Sequence, residues 1–579
     1  MLKLMRKHIQ GYEKQAVLSP ILIILEVICE LLLPLIMAEI VDVAIPAGNV
    51  NYIFQLGALM VVLALISMAC GVGAAKAAAF ASQGFGCNLR QSLFDKVQTF
   101  SFADIDRFSS ASLITRMTND VNAMTTMLAM GLRMLIRAPM MLVTSLVVSI
   151  VLNAKLALIL VVTIPVMTVI IALVMRVCTR LFQVVQTKID HLNNTLQENL
   201  VAVRVVKAFV RENHERKKFK QANDELTQAG LSVGMRIVAI MPVMMLCMNG
   251  AMVASLYGGG RMVMAGTFQL GDLQAFTGYI TQILMSVMMV AMTLLQLSRS
   301  QACARRINEV LEATPDIEDG GGVQSTQLPQ AQGKVEFRKV SFKYAASNTG
   351  DDVLRDIDLT IEPGKFIAIV GGTGVGKSSL VNLIPRFYDP TGGQVLLDGV
   401  DVKDYPLDDL RRRIGMVLQN NVLFTGTVRE NLLWGKPDAT QEELERAAKD
   451  AQAYGFIMSL PQGFDTLLDQ GGVNLSGGQK QRLCIARAML KQPAVLILDD
   501  STSAVDSATE SAIRKSFHEN LKDTTVIMIA QRISSVQYAD QIVILEDDHI
   551  AGLGTHEELL ANNAIYQEIY QSQQEGVMA

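Results

Sequence analysis

Four glycines, a lysine and a serine share residues 371–378, GGTGVGKS. The spacing is G-x-x-x-x-G-K-[ST], set between a strand-like apolar run, 366–370 (FIAIV), and a helix-like continuation, SLVNLI. Gly371, Gly372, Gly374 and Gly376, with Thr373 and Val375 between them, let backbone N–H groups wrap around phosphate oxygens. The helix start that follows favours negative charge in the same place. Lys377 is expected to reach β- and γ-phosphates, Ser378 to ligate Mg²⁺, and Ser379 to lie beside them in the nucleotide-binding set. A second apolar run, 495–499 (VLILD), ends on Asp499, the magnesium-side carboxylate that such a loop requires. Between the two lies LSGGQ (Leu475, Ser476, Gly477, Gly478 and Gln479), which opens the helical run QKQRLCIARAML. A serine and two glycines at a helix start make a second surface for phosphate.

The chain that must position these residues has two unlike halves. It is 579 residues long, half of them hydrophobic and only 18% charged, which excludes a disordered protein. The net charge of −4 gives no basic surface for nucleic acid, so no nucleic-acid partner is expected. The seven cysteines (29, 70, 87, 178, 247, 303 and 484) form no C-x-x-C pair and read as single, mostly buried thiols. Six apolar runs are long enough to cross a bilayer: 17–38, 55–80, 130–152, 156–178, 237–263 and 273–297. The first run is too long for a secretory signal peptide, and no small-residue cleavage site follows it. From Val335 onward, short β-like runs alternate with amphipathic helices. The division is therefore 1–312 for the membrane half, 313–333 for a polar Gly- and Pro-containing linker, and 334–579 for the nucleotide-binding half.

Basic residues set the orientation. Lys3, Arg6, Lys7 and Lys14 precede the first run, and the loops after runs two and four are rich in lysine and arginine. The segments after runs one, three and five offer only Lys155 and Arg261. The N-terminus, both long loops and the C-terminal half are thus expected in the cytoplasm. The two long loops are helical in pattern and too long for turns, as helices continuing beyond the bilayer would be. Glu26 and Glu30 share one face of the first run and are candidates for a substrate path. The alternative is a structural bond from each to a neighbouring helix. Methionines crowd the last two runs (Met241, Met244, Met245, Met248, Met252, Met285, Met288, Met289 and Met292), either as adaptable ligand contacts or as apolar filler.

In this order, the three nucleotide motifs resemble the ATP-binding cassette superfamily. The whole chain resembles an exporter half-transporter: a membrane α-helical domain of six helices, type IV exporter-like, fused to an α/β P-loop nucleotide-binding domain. The resemblance implies ATP and Mg²⁺ as cofactors, Tyr344 as the aromatic that stacks on adenine, Gln419 as a loop residue touching Mg²⁺, and Asp506 in STSAVD as a loop residue facing the dimer partner. Residues 106–121 and 203–219 resemble the intracellular loops whose short coupling helices dock on nucleotide-binding domains.

Two positions depart from that pattern. Asp500 stands where the family has a catalytic glutamate, and Gln531 where it has a histidine on the γ-phosphate. In such exporters each ATP lies between the P-loop of one subunit and the LSGGQ of the other. The departures therefore imply a heterodimer with a second half-transporter, resembling the degenerate-site subunit of bacterial multidrug exporters in the plasma membrane. The cargo expected is a small amphipathic compound, with membrane lipid as surroundings. A lipid or peptide exporter, a slow homodimer and a non-transporting ATP-gated regulator are the alternatives.

Overall fold

The computed structural model describes residues 1–319, 322–344, 352–500 and 505–578. They form two units, Met1–Gln98 with Ala111–Ala313, and Thr99–Ser110 with Thr314–Ala579. Residues 320 and 321 of the expected linker, and 501–504 of the STSAVD segment, lie outside the described residues.

The second unit is built on a six-stranded sheet in the order His549–Gly554, Gln541–Glu546, Phe366–Gly371, Thr525–Ile529, Val495–Asp499, Ile414–Val417. All neighbours are parallel except the first pair. FIAIV, VLILD and TVIMI are apolar at nearly every position because both faces of such a sheet are covered. A second, antiparallel sheet joins Leu354–Ile361, Val335–Phe342, Gly392–Leu397 and the short strand Val400–Asp401. Residues 99–110, from the loop between the second and third apolar runs, belong to this unit. They carry the short helix Phe102–Phe108, started by a capping box between Ser101 and Asp104.

The first unit holds six helices long and apolar enough to cross a membrane: Glu13–Ala44, Val50–Gln98, Ser110–Leu152, Ala154–Leu173, Pro242–Met264 and Leu270–Val290. Each overlaps one expected run. The helices that continue furthest past bilayer thickness are Val50–Gln98, Ala154–Val201 and Glu212–Met264, of 49, 48 and 53 residues. At about 1.5 Å per residue they measure roughly 70–80 Å, against about 30 Å of hydrocarbon. Small residues line the buried side of the second span, among them Ala74, Ala77, Ala78, Ala81, Gly84 and Gly86. A Cβ at Gly84 would come within 2.3 Å of the Tyr12 ring, and one at Gly86 within 2.6 Å of Thr125 Oγ1. A side chain at either position would collide with a neighbouring side chain, so both sites favour glycine. Among the cysteines, Cys29, Cys303 and Cys484 are buried, Cys70 and Cys247 are intermediate, and Cys87 is exposed. The Cys178 side chain lies outside the described residues.

Glu26 and Glu30 are not two unpaired acids. Arg137 of the third span donates to both, from Nη1 to Glu26 and from Nη2 to Glu30 Oε1 at 2.7 Å. The three side chains are 12%, 25% and 27% exposed for Glu26, Glu30 and Arg137. A charge at this depth is held by a partner or faces water, and here each acid has its partner on a neighbouring helix. This pairing is the structural alternative expected from the sequence, a bond from each acid to a neighbouring helix. The methionines divide: Met244 is buried in a core with partly buried Met248, while Met245, Met252 and Met285 are exposed. The side chains of Met241 and Met292 lie outside the described residues.

Removing one member of a buried ion cluster leaves the others uncompensated. Arg137→Gln is expected to cost about 1–3 kcal/mol, less than a fully buried pair because the cluster is partly exposed. The check is the melting temperature of detergent-purified protein. Glu26→Gln with Glu30→Gln should lower folding yield and reduce export of cationic and neutral dyes by the same factor. A selective loss of cationic export at equal membrane protein would restore the substrate-path role.

Candidate nucleotide-binding site

Parallel pairing brings the chemistry to one edge. Ile529 lies opposite Asp499, and Gly371 opposite Leu545, so the C-terminal ends of the four central strands align. Ligands of open α/β sheets bind at that edge. Gly371 packs so closely that a Cβ would meet the Leu545 carbonyl oxygen at 2.2 Å. The loop beyond it turns through Gly374 and Gly376, with φ of 89° and 91°, where other residues are strained. A Cβ on Gly374 would point into open space, whereas one on Gly376 would come within 2.9 Å of the Val353 carbonyl oxygen. Thr373 and Val375 lie between these glycines in the same loop.

Lys377 opens the helix Lys377–Asn382, and its Nζ donates to the carbonyls of Gly371 (2.9 Å) and Gly372. Burial pushes this ammonium down, against the opposing pull of Asp499 and Asp500. Ser378 Oγ donates to Asp499 Oδ1 at 2.9 Å. Burial pushes the Asp499 carboxyl up and Asp500 adds to this, while the Ser378 bond and Lys377 oppose it. A hydroxyl and a carboxylate held together in this way supply the oxygen donors that a hard divalent cation takes. With the glycine loop and Lys377 alongside, the residues present fit a magnesium nucleotide.

The two departures from the family pattern meet each other. Gln531 Nε2 donates to Asp500 Oδ2 at 2.8 Å, and Gln419 is hydrogen-bonded to the same side chain. Gln481, two residues past LSGGQ, donates to the Asp500 carbonyl at 3.3 Å. Asp500 has φ of 48°, a left-handed conformation that aspartate tolerates better than most residues. Burial pushes its carboxyl up, opposed by Lys377, Gln419 and Gln531. Sequence reasoning treated Asp500 and Gln531 as two separate losses. Their direct bond was legible only once Ile529 was paired with Asp499.

Tyr344 follows the strand Val335–Phe342, and its hydroxyl lies 2.9 Å from Ser379 Oγ. Leu475 is buried, whereas Ser476 and Gly477 are exposed. Ser476 caps the helix Gly477–Leu490 through a reciprocal box with Gln479, which presents Gly477 and Gly478 at the helix start. Asp506 caps the helix Ser507–Asn520, accepting from Thr509 N (2.9 Å) and Thr509 Oγ1 (2.7 Å). Bonds from Thr509 hold its carboxyl below the ordinary range. Sequence reasoning missed Arg137, although an arginine inside an apolar run is itself a signal for a partner.

Comparison with known proteins agrees with this geometry. Residues 17–287 match the family described as ABC transporter transmembrane region, and residues 354–503 match the one described as ABC transporter. An uncharacterized ABC transporter ATP-binding protein of Bacillus subtilis (strain 168) is 40% identical over 565 residues, covering 98% of this chain and 97% of that protein. A fatty acid ABC transporter ATP-binding/permease protein of Mycobacterium bovis is 36% identical over 484 residues, covering 83% and 75%. The solved structure of a bacterial Atm1-family ABC exporter with ATP bound superposes with a TM-score of 0.80 at 25% identity, covering 97% of this chain and 98% of that one. With the membrane and ATP-binding regions matched in order on one chain, the protein belongs to the ABC transporter family, as an exporter half-transporter.

Proposed function

We propose that this chain is one half of a heterodimeric exporter, whose own P-loop holds ATP with little turnover while its LSGGQ completes the productive site on a partner half-transporter. The observation that carries this reading is the 2.8 Å bond between Gln531 and Asp500. Asp500 is one methylene shorter than the family glutamate, so its carboxylate falls back by about 1.5 Å, one C–C bond. Misplacement on the order of 1 Å costs about a hundredfold in rate. The Gln531 amide also occupies one of the two oxygens that would otherwise meet an attacking water. Gln531 donates from an amide and has no titratable proton to exchange with the γ-phosphate.

The other residues keep binding roles. The backbone from Gly371 to Gly376 would cradle phosphates, with Lys377 on the β/γ side and Ser379 adjoining. Ser378, Gln419 and Asp499 would hold Mg²⁺. When bound, that ion supplies neutralisation of charge on the transferred phosphoryl oxygens. Tyr344 would stack on adenine, and Asp506 would face the partner across the dimer. Residues 1–312 would form the membrane domain and 334–579 the cytoplasmic nucleotide domain, joined by 313–333, in a bacterial plasma membrane.

The first cargo class is small amphipathic compounds. Lipid-like amphiphiles are the second, supported by the fatty acid transporter of Mycobacterium bovis among the relatives.

Asp500→Glu alone is expected to raise ATPase less than threefold, because Gln531 still occupies the carboxylate. In a pair whose partner glutamate is replaced by glutamine, so that the productive site is silent, Asp500→Glu with Gln531→His should raise ATPase at least tenfold, short of the about 10²–10⁴-fold contribution of a fully positioned base. Steady-state phosphate release from the reconstituted pair is the measurement. Full recovery by the single change would remove the basis for a paired defect. Replacing the partner's catalytic glutamate with glutamine should nearly abolish turnover, whereas half-strength activity would refute asymmetry.

Ser476→Arg should reduce transport more than Lys377→Ala does. The arginine places bulk and charge at the productive site, whereas loss of Lys377 weakens the slow one. Equal ATPase loss in both variants, at matched expression and saturating ATP, would point to a homodimer with two equivalent sites.

A further inference from the structure

Tyr388 lies at the centre of an aromatic cluster outside the nucleotide motifs. Its ring stands edge-on to Tyr344, with centroids 5.2 Å apart and planes at 87°. It also packs 5.6 Å from Phe342 and 6.2 Å from Phe102. Its hydroxyl donates to Asp106 Oδ2 at 2.8 Å, on the helix Phe102–Phe108. Burial, and then the bond to Asp106, push this phenol well above its ordinary range, so it remains a donor. One side chain thus touches the residue beside Ser379 and the helix of the first intracellular loop.

The backbone around Tyr388 is held still. Arg386 pairs with Asp389 at 2.8 and 3.2 Å and reaches the Lys403 carbonyl at 3.2 Å. Arg411 donates to the carbonyls of Pro385 (3.3 Å) and Arg386 (3.2 Å). Phe387 packs against Phe102 with centroids 4.4 Å apart, and the Arg411 guanidinium lies 5.7 Å from the Phe387 ring. Beside the Tyr388 ring, by contrast, is a cavity of about 190 Å³, lined by Ala103, Asp106, Ile317, Tyr344 and Thr391 among others. A ring on a fixed backbone with free space beside it can take two positions, which a close-packed core does not allow.

We propose that Tyr388 is a positioning residue that carries the state of Tyr344 to the helix Phe102–Phe108, and so couples nucleotide occupancy to the first intracellular loop. This rests on the reading of Tyr344 as the adenine platform. Stacking of a base on Tyr344 fixes a ring that is otherwise held by Ser379 and by its edge contact with Tyr388. The edge contact passes that constraint to Tyr388, and the hydroxyl passes it to Asp106. Coupling through packed side chains needs an element with two arrangements, and the cavity beside the Tyr388 ring gives that ring room for a second.

Hydrogen exchange of peptides covering 99–110, measured on the full-length protein in its native assembly with and without ATP and Mg²⁺, tests the proposal. In the unmodified protein ATP should slow exchange of this segment several-fold. Tyr388→Phe keeps the ring and removes the hydroxyl. It should bind ATP within about threefold of the native affinity yet lose most of the ATP-dependent slowing. Asp106→Asn retains an acceptor oxygen and should preserve more than half of the slowing, whereas Asp106→Ala should not. A merely structural tie would raise exchange equally with and without ATP and leave the difference intact, which overturns the proposal. No ATP response in the unmodified protein would overturn it as well. Tyr344→Ala separates the underlying reading: it should weaken ATP binding at least fivefold. Unchanged affinity there would remove the adenine platform, whatever the Tyr388 variants show.

Discussion

Thr525–Ile529 pairs in parallel with Val495–Asp499 on one side and with Phe366–Ile369 on the other, residue against residue without a bulge. A one-residue slip in either pairing would turn every side chain of a strand to the opposite face. The in-register ladder is what brings Gly371, Asp499 and the segment leading to Gln531 to one edge. It is enforced by apolar side chains on both faces, which leave the strands no polar face to expose. The glycine loop, Lys377 and Ser378 follow directly from the end of one strand, so their placement depends on the same ladder.

Two consecutive acids leave that edge toward different partners. Asp499 ends the strand and meets Ser378, while Asp500 turns the chain with a positive φ and meets Gln531. The backbone turn thus separates a carboxylate suited to a metal from one held by amides. Gln481 clasps the same turn from the helix that LSGGQ opens, so the two nucleotide surfaces of this chain share a hydrogen bond through Asp500.

The long apolar runs and the glycine loop were legible because each is a local pattern: about twenty apolar residues, or a fixed spacing of glycine, lysine and serine. Docking of the first long loop was expected from the resemblance over 106–121, but its bounds at 99–110 were not, since Phe102 and Asp106 gain their meaning only from Phe387 and Tyr388, nearly three hundred positions away. The same holds for Glu26 and Glu30. Their shared helix face was readable, but the partner lies on another helix at Arg137. Asp500 and Gln531 were each visible as departures, while their bond depends on parallel pairing that spacing does not specify. Local chemistry is written in the order of residues; pairings across the fold are written in packing.

The helix Val50–Gln98 is an unbroken rod of 49 residues, and its buried side is lined with alanine and glycine around residues 74–86. Small residues let neighbouring helices approach closely along this stretch, with the fully buried Phe85 as the one large knob between residues 74 and 86. A rod of about 73 Å that rocks by about 5° around its middle swings each tip by roughly 3 Å. That is close to the width of one side chain, enough to open or shut a gap at one end while the centre scarcely moves. In mechanical terms so long a span would turn a small tilt at its middle into a larger displacement at its tips, and a bulky residue at Gly84 would push against the Tyr12 ring.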